Sequence, residues 1–301
     1  MMDRPIRGTF LPLMRSRPSV SILFLSVALT ILSPSPEKAC ATDRPSTASA
    51  ITKTPPVDAT SRALTNLKAI VLRDAAGGFI APKFAPDGLQ LLLSRPGYLG
   101  IYVVAASGGL PRLAIPSHAS QADWTRDGLI GIRDPEQQQI LVFHLDGTLD
   151  RTDPLPTGPV HSDHDRIYTR PSDGGAPIAV SDTSDRFIEP KLCPLGKNVA
   201  YTGVQTGLFL SRADGTGAPI FLGRGENVNW GPKGDFLLFA RTRDDGHDFV
   251  EGDLLCYELQ RQTLFNLTAK TGLLLKSPSL SPDGKTVALE AEGIIYTSSL
   301  P

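Results

Sequence analysis

Pro82-Lys83-Phe84-Ala85-Pro86-Asp87-Gly88 is answered near the other end of the chain by Pro278-Ser279-Leu280-Ser281-Pro282-Asp283-Gly284. Weaker copies stand between them: Ala122-Asp123-Trp124-Thr125-Arg126-Asp127-Gly128, Pro190-Lys191-Leu192-Cys193-Pro194-Leu195-Gly196 and Asn229-Trp230-Gly231-Pro232-Lys233-Gly234. Most gaps between their glycines run from 38 to 50 residues, and the 68-residue gap between Gly128 and Gly196 has room for one more, degenerate copy. A second landmark follows a short apolar run in most copies: Ser107-Gly108-Gly109, Asp146-Gly147-Thr148, Asp173-Gly174-Gly175 and Asp214-Gly215-Thr216. Self-similarity at this period is the mark of a repeat architecture.

Each unit has a simple physical reading. Short runs such as Ile101-Tyr102-Val103-Val104 are strands. Pro-Asp-Gly supplies a turn: Pro fixes φ, Asp accepts from its own backbone, and Gly takes φ > 0. Asp87, Gly88, Asp127, Gly128, Asp283 and Gly284 are thus structural turn residues. A unit reads strand, turn, strand, loop, strand, turn, strand, which is a four-stranded antiparallel blade. One blade cannot bury both faces, so blades stack around a ring. The expected fold is an all-β, six-bladed propeller over residues 62–301, with a degenerate third blade. Leu67–Leu72 precedes the first motif and the last copy lacks a fourth strand, so this N-terminal strand is expected to complete the last blade.

The Pro-x-[Phe/Trp/Leu]-[Ala/Ser]-Pro-Asp-Gly pattern, followed by a Gly-x-Ile-Tyr strand, resembles the WD-repeat-like propeller units of the TolB family. The likeness covers about residues 62–301. TolB proteins carry an α/β domain before the propeller, which is not expected here. The resemblance implies a propeller and leaves the job open.

Composition agrees with this reading. Gly (28) and Pro (26) are abundant among 301 residues, as many tight turns require. The formal net charge is −1, so no basic excess exists to hold a nucleic acid. Three cysteines without a Cys-x-x-Cys pair make neither a disulfide framework nor a thiolate zinc site.

Residues 1–41 read as an address. Arg4, Arg7, Arg15 and Arg17 precede the uncharged apolar run Ser21–Leu32, and Ala39-Cys40-Ala41 closes the segment. This order is that of a signal peptide cleaved near Ala41. The expected location is periplasmic or secreted, with membrane attachment only through an uncleaved N-terminus. Residues 42–61, rich in Ser, Thr, Ala and Pro, are expected to be a flexible tether.

In a propeller the Pro-Asp-Gly turns lie on one face and the other connections ring the channel mouth. Three patches of that second face stand out. The first is the segment Arg241–Asp253, expected as a long loop, where Asp244, Asp245, Asp248, Glu251 and Asp253 surround Gly246. Oxygen-rich spacing suits Ca²⁺, although the order is not that of an EF-hand. The second is His161-Ser162-Asp163-His164-Asp165, imidazoles beside carboxylates. The third is Arg95, Tyr98, His118, Arg186, Arg224, Glu226 and Asn227, a mixture typical of protein-binding surfaces. No Gly-x-Ser-x-Gly, His-Glu-x-x-His or P-loop occurs. The favoured reading is a monomeric, non-catalytic scaffold for a protein or cell-envelope component, without a cofactor. The rival is a lyase or hydrolase acting on a polysaccharide or a lactone-like substrate. It needs a metal or several acid–base residues at the channel mouth, and convergence of His118, His161 and the 244–253 carboxylates on one point would favour it.

Overall fold

The computed structural model describes residues 54–59, 62–118, 122–134, 136–156, 158–246 and 249–301. The expected leader, residues 42–53 of the expected tether, His247 and Asp248 lie outside them. The described residues hold 24 strands and one turn of 3-10 helix, Pro96–Tyr98. Two strands come first, β1 (Val57–Asp58) and β2 (Thr65–Val71). Blade one is β3 (Ile80–Phe84), β4 (Gln90–Arg95), β5 (Leu99–Ala105) and β6 (Arg112–His118). Blade two is β7 (Ala122–Trp124), β8 (Ile130–Asp134), β9 (Gln139–Phe143) and β10 (Leu149–Pro154). Blade three has β11 (Val160–Asp163), β12 (Arg166–Thr169) and β13 (Ile178–Ala179). Blade four is β14 (Phe187–Leu192), β15 (Asn198–Gly203), β16 (Gly207–Arg212) and β17 (Ile220–Gly223). Blade five is β18 (Glu226–Trp230), β19 (Phe236–Asp244), β20 (Phe249–Glu258) and β21 (Thr263–Asn266). Blade six is β22 (Lys276–Leu280), β23 (Thr286–Ala291) and β24 (Ile294–Ser299), and β2 pairs antiparallel with β24 as its outer strand.

The turns follow from their residues. Asp87 Oδ1 accepts the Leu89 N–H at 2.8 Å while Gly88 sits at φ 73°. Asp283 takes the Lys285 N–H at 3.0 Å beside Gly284 at φ 72°. Asp127 precedes Gly128 at φ 80°; Thr125, then its own backbone and Arg151, hold its carboxyl below the usual range.

Strand alternation builds the core between blades. On β4, Leu91 and Leu93 pack with blade six, and Leu92 packs with blade two. Similar clusters join blades three and four, four and five, and five and six. Each fully buried Leu or Phe in them contributes about 1.5–3 kcal/mol. The described residues form no such cluster between blades two and three.

Blade three explains part of that difference. In blades one and two, the glycine of the turn between strands three and four packs on the fourth strand of the preceding blade. A Cβ on Gly108 would meet Ile70 of β2, and one on Gly147 would meet Ala114 of β6. In blade four the same turn, at Gly215, meets Ile178 and Ala179 of β13. So β13 holds the fourth-strand place, β12 the third and β11 the second. The hairpin joining β11 to β12 lies beside the start of β14, since the Phe187 N–H donates to the Asp165 carbonyl at 2.9 Å. Hence β11 runs antiparallel to β14, as a second strand must. Among the described residues, blade three has no innermost strand.

The N-terminal side adds a surprise. Val57 and Asp58, within the expected tether, pair parallel with Leu264 and Phe265 as a fifth strand on blade five. Arg62 then pairs with Glu258 and stacks on Phe265. This part of the segment is anchored because β21 otherwise presents a bare edge.

Candidate functional site

The innermost strands are tied to one another by the second residue of the repeat motif, the one before the Phe, Trp or Leu position. Lys83 Nζ donates to the Ala122 carbonyl of the next blade at 2.7 Å, and Trp124 Nε1 donates back to the Lys83 carbonyl at 2.9 Å. Blades four and five repeat this latch: Lys191 Nζ reaches the Val228 carbonyl at 2.8 Å, and Trp230 Nε1 the Lys191 carbonyl at 2.9 Å. Asn229 Nδ2 donates to the Pro278 carbonyl at 3.0 Å. Ser279 Oγ accepts the Phe84 N–H at 2.9 Å. Burial, then the charge of Lys83, lowers the Lys191 ammonium below its usual range.

The inner strands also share a bulge. Ala81, Glu189, Asn227 and Ser277 all stand at φ of 50–53°, each where the pairing of first and second strands slips. A non-glycine residue at such φ is uncommon and costs about 1–2 kcal/mol. The bulge swings side chains at these positions toward the channel.

A cavity of about 1000 Å³ runs along the channel and into the gap beside blade two. Its wall comes from blades one, two, four and five, through residues such as Lys83, Asp123, Glu189, Lys191 and Asn227. Tyr98 of the 3-10 turn stands on the same cavity, 40% exposed at φ 56°. On the blade two side it is lined by Arg133, Ile140, Arg151 and Asp153. Arg151 is held by Asp127, Asp150 and Asp153 at 2.7–3.1 Å.

Of the seven expected binding residues, the cavity gathers Tyr98 and Asn227. Arg95 is committed to the fold. It makes two bonds to Asp74, at 2.9 and 2.6 Å, and its guanidinium lies 4.3 Å from the Phe79 ring centre. That pairing raises the Arg95 pKa and lowers that of Asp74. Arg224 and Glu226 share a separate groove with Thr242, whose hydroxyl donates to Glu226 at 2.7 Å. Arg186 faces Asp165 at 3.4 Å. His118, exposed, ends β6 opposite Leu99.

The acidic segment is a hairpin and not a long loop. β19 and β20 pair from Phe236–Glu258 out to Asp244–Phe249. Arg241 sits opposite Asp253, and Arg243 opposite Glu251. Arg241 bonds Asp253 at 2.7 Å, and Glu251 lies 3.3 and 3.2 Å from Arg241 and Arg243. Opposite charges across the ladder stabilise the pairing that extends the strands. Asp245 is exposed. Among the described residues, no three His, Cys, Asp or Glu side chains converge as a metal site. His118 lies in blade one and His161 in blade three, where His161 stacks on Tyr168 at 5.8 Å.

The residues that sequence reading missed are Lys83, Asp123, Arg133, Glu189 and Lys191. The signal for Lys83 and Lys191 was present: both occupy the second place of a Pro-Lys motif copy.

No family model and no curated protein sequence matches the chain. Among solved structures it is similar to the putative TolB from Agrobacterium tumefaciens, at 20% identity and TM-score 0.31, over 71% of this chain and 69% of that one. It is also similar to the C-terminal WD40 domain of Sif2, at 10% identity and TM-score 0.44, over 77% and 85%. Likeness at this level says nothing of function.

Proposed function

We propose that this chain is a non-catalytic scaffold of the cell envelope, which holds a protein partner at its channel. The observation that carries this reading is the cavity of about 1000 Å³ whose charged lining rises from latched strands. Groups fixed in this way lose little conformational freedom when a partner docks, so they favour recognition. Export is part of the proposal and rests on residues 1–41: the mature chain should begin at Thr42 by N-terminal sequencing.

Site-specific photo-cross-linking in cells tests the partner. A benzophenone amino acid at position 98 or 227 should capture a discrete protein. The same probe at position 113, on the exposed outer strand of blade one, should not. Products from position 113 alone, or none from 98 and 227, would overturn the reading.

A further inference from the structure

We propose that an extended segment of the partner protein adds to blade three as its missing innermost strand. This rests on the scaffold reading and names how the partner is held.

Three independent observations meet at the gap. The first is an open edge. Among the described residues, β11 pairs with β12 on one side and with no strand on the other. The Arg170 N–H donates to the Pro159 carbonyl at 2.8 Å, so Pro159 and His161 turn their backbone groups toward β12. By antiparallel alternation Val160 and Ser162 turn theirs toward the channel. The second is polarity. The blade two side presents Arg133, Arg151 and Asp153, where other blades present Leu and Val. Ile167 packs on blade four, so by strand alternation His161 and Arg166 lie on the other face of blade three, and their buried Nδ1 and Nε find no hydrogen-bond partner among the described residues. The third is the broken latch. Four of the five inner strands place their second motif residue, the one before the Phe, Trp or Leu position, on the backbone of the next inner strand. Asp123 is the exception: its carboxylate caps Trp124 and meets Lys83 of the preceding inner strand, while two-thirds of the side chain (66%) stays exposed.

These walls specify the occupant. It runs parallel to β7 and β14 and antiparallel to β11. On the blade two side, Asp123 accepts and does not donate. On the blade four side, the latch geometry leaves the Pro190 carbonyl to accept from the residue of the inserted strand that corresponds to Lys83, as Ala122 and Val228 accept elsewhere. Glu189 lines the same cavity. All three groups call for donors, so the segment is an extended strand with a lysine at its centre. Main-chain bonds supply the hold and the lysine the register.

The probe is a labelled peptide copying residues 79–85, Phe-Ile-Ala-Pro-Lys-Phe-Ala, titrated into the full-length chain and read by fluorescence anisotropy. Saturable binding is expected, with slowed hydrogen exchange across residues 160–163. Replacing the peptide's lysine by Glu should weaken binding at least tenfold. Ser162→Pro removes an outward N–H, together with the hydroxyl that donates to the Phe187 carbonyl at 2.8 Å, and should abolish binding, while Ser162→Ala, which loses that hydroxyl alone, should bind as the parent does. Asp123→Lys, at an exposed position, should weaken it at least tenfold and guards against misfolding of the first variant. Absence of binding overturns the proposal. So does binding that Ser162→Pro and Asp123→Lys both leave unchanged, or that does not slow exchange at 160–163. Binding only to a chain lacking residues 1–53 would assign the gap to the chain's own N-terminus and overturn it too. If cross-linking at positions 98 and 227 survives Ser162→Pro, the scaffold reading stands without this one.

Discussion

Single side chains hold this ring together in two ways, by latches between neighbouring inner strands and by burial between blades. Trp230→Phe keeps the ring but removes the N–H that meets the Lys191 carbonyl. A lost hydrogen bond of this kind should cost about 1 kcal/mol in urea unfolding, and more if the carbonyl stays dry. An unchanged midpoint would mean that the latch is ornamental. Burial leaves a signature at high pH. Desolvation, then Glu258, pushes the Cys256 thiol up to about 12, from 9.0 in a free chain. Desolvation likewise pushes the Tyr201 hydroxyl up to about 12, from 10.0. A raised folded pKa favours the protonated form. Its contribution is whole below the unfolded pKa and is lost as pH rises through the folded one. Stability should therefore fall between about pH 9 and 12, and Cys256→Ala should make the early part of that fall shallower. Parallel losses in parent and variant, measured as urea midpoints at pH 8, 10 and 11, would refute the assignment. The Lys–Trp latches escaped sequence reading for a physical reason: spacing within one blade does not say which carbonyl of the next blade a side chain meets.

Strands and turns were more legible than site residues, because their chemistry is local. Motif copies near residues 82, 122, 190, 229 and 278 mark inner strands, and the six-bladed all-β ring follows from their number and spacing. The length of the β19–β20 hairpin was not legible. Arg241, Arg243, Glu251 and Asp253 read as loop residues along the chain and become ladder pairs only once the strands face each other. The tie between Arg95 and the fold was hidden for a related reason, since Asp74 lies 21 residues before it in sequence and Phe79 also reaches it from that preceding segment. Element crossings make a sharper test. At the junction of blades six and one, a Cβ on Gly78 would stand 2.4 Å from Gly293 Cα, and the Phe79 N–H donates to the Gly293 carbonyl at 2.8 Å. Gly78→Ala should cost about 3 kcal/mol, because backbone must move to admit the methyl. Gly174, at φ 79° with open space around its Cβ, should cost only about 1 kcal/mol when changed to Ala. Equal losses in thermal unfolding would show that the junction yields.

Over the whole ring, stability is unevenly placed. Blade five has apolar clusters on both faces, with Leu237, Leu238, Leu254 and Leu255 wholly buried. Blade three has one, shared with blade four, in which Ile167 and Val180 are buried. Its other face meets blade two through polar groups, two of them with a buried atom lacking a partner. An orphaned buried polar atom costs about 1–3 kcal/mol, so this interface offsets little of the entropy of ordering β11–β13. A ring with one weak joint opens at that joint before it unfolds elsewhere. Native-state hydrogen exchange at low denaturant should show it. The Ile167 amide, which is held within blade three, should exchange through a sub-global opening with weak dependence on denaturant. Leu238 and Leu255 should exchange only through global unfolding, with the full dependence. If all three follow one line, the ring is a single cooperative unit and the gap is as rigid as its neighbours. If Ile167 parts from the others, occupation of the gap should draw it back toward them, because a segment that binds only the closed joint stabilises it by mass action.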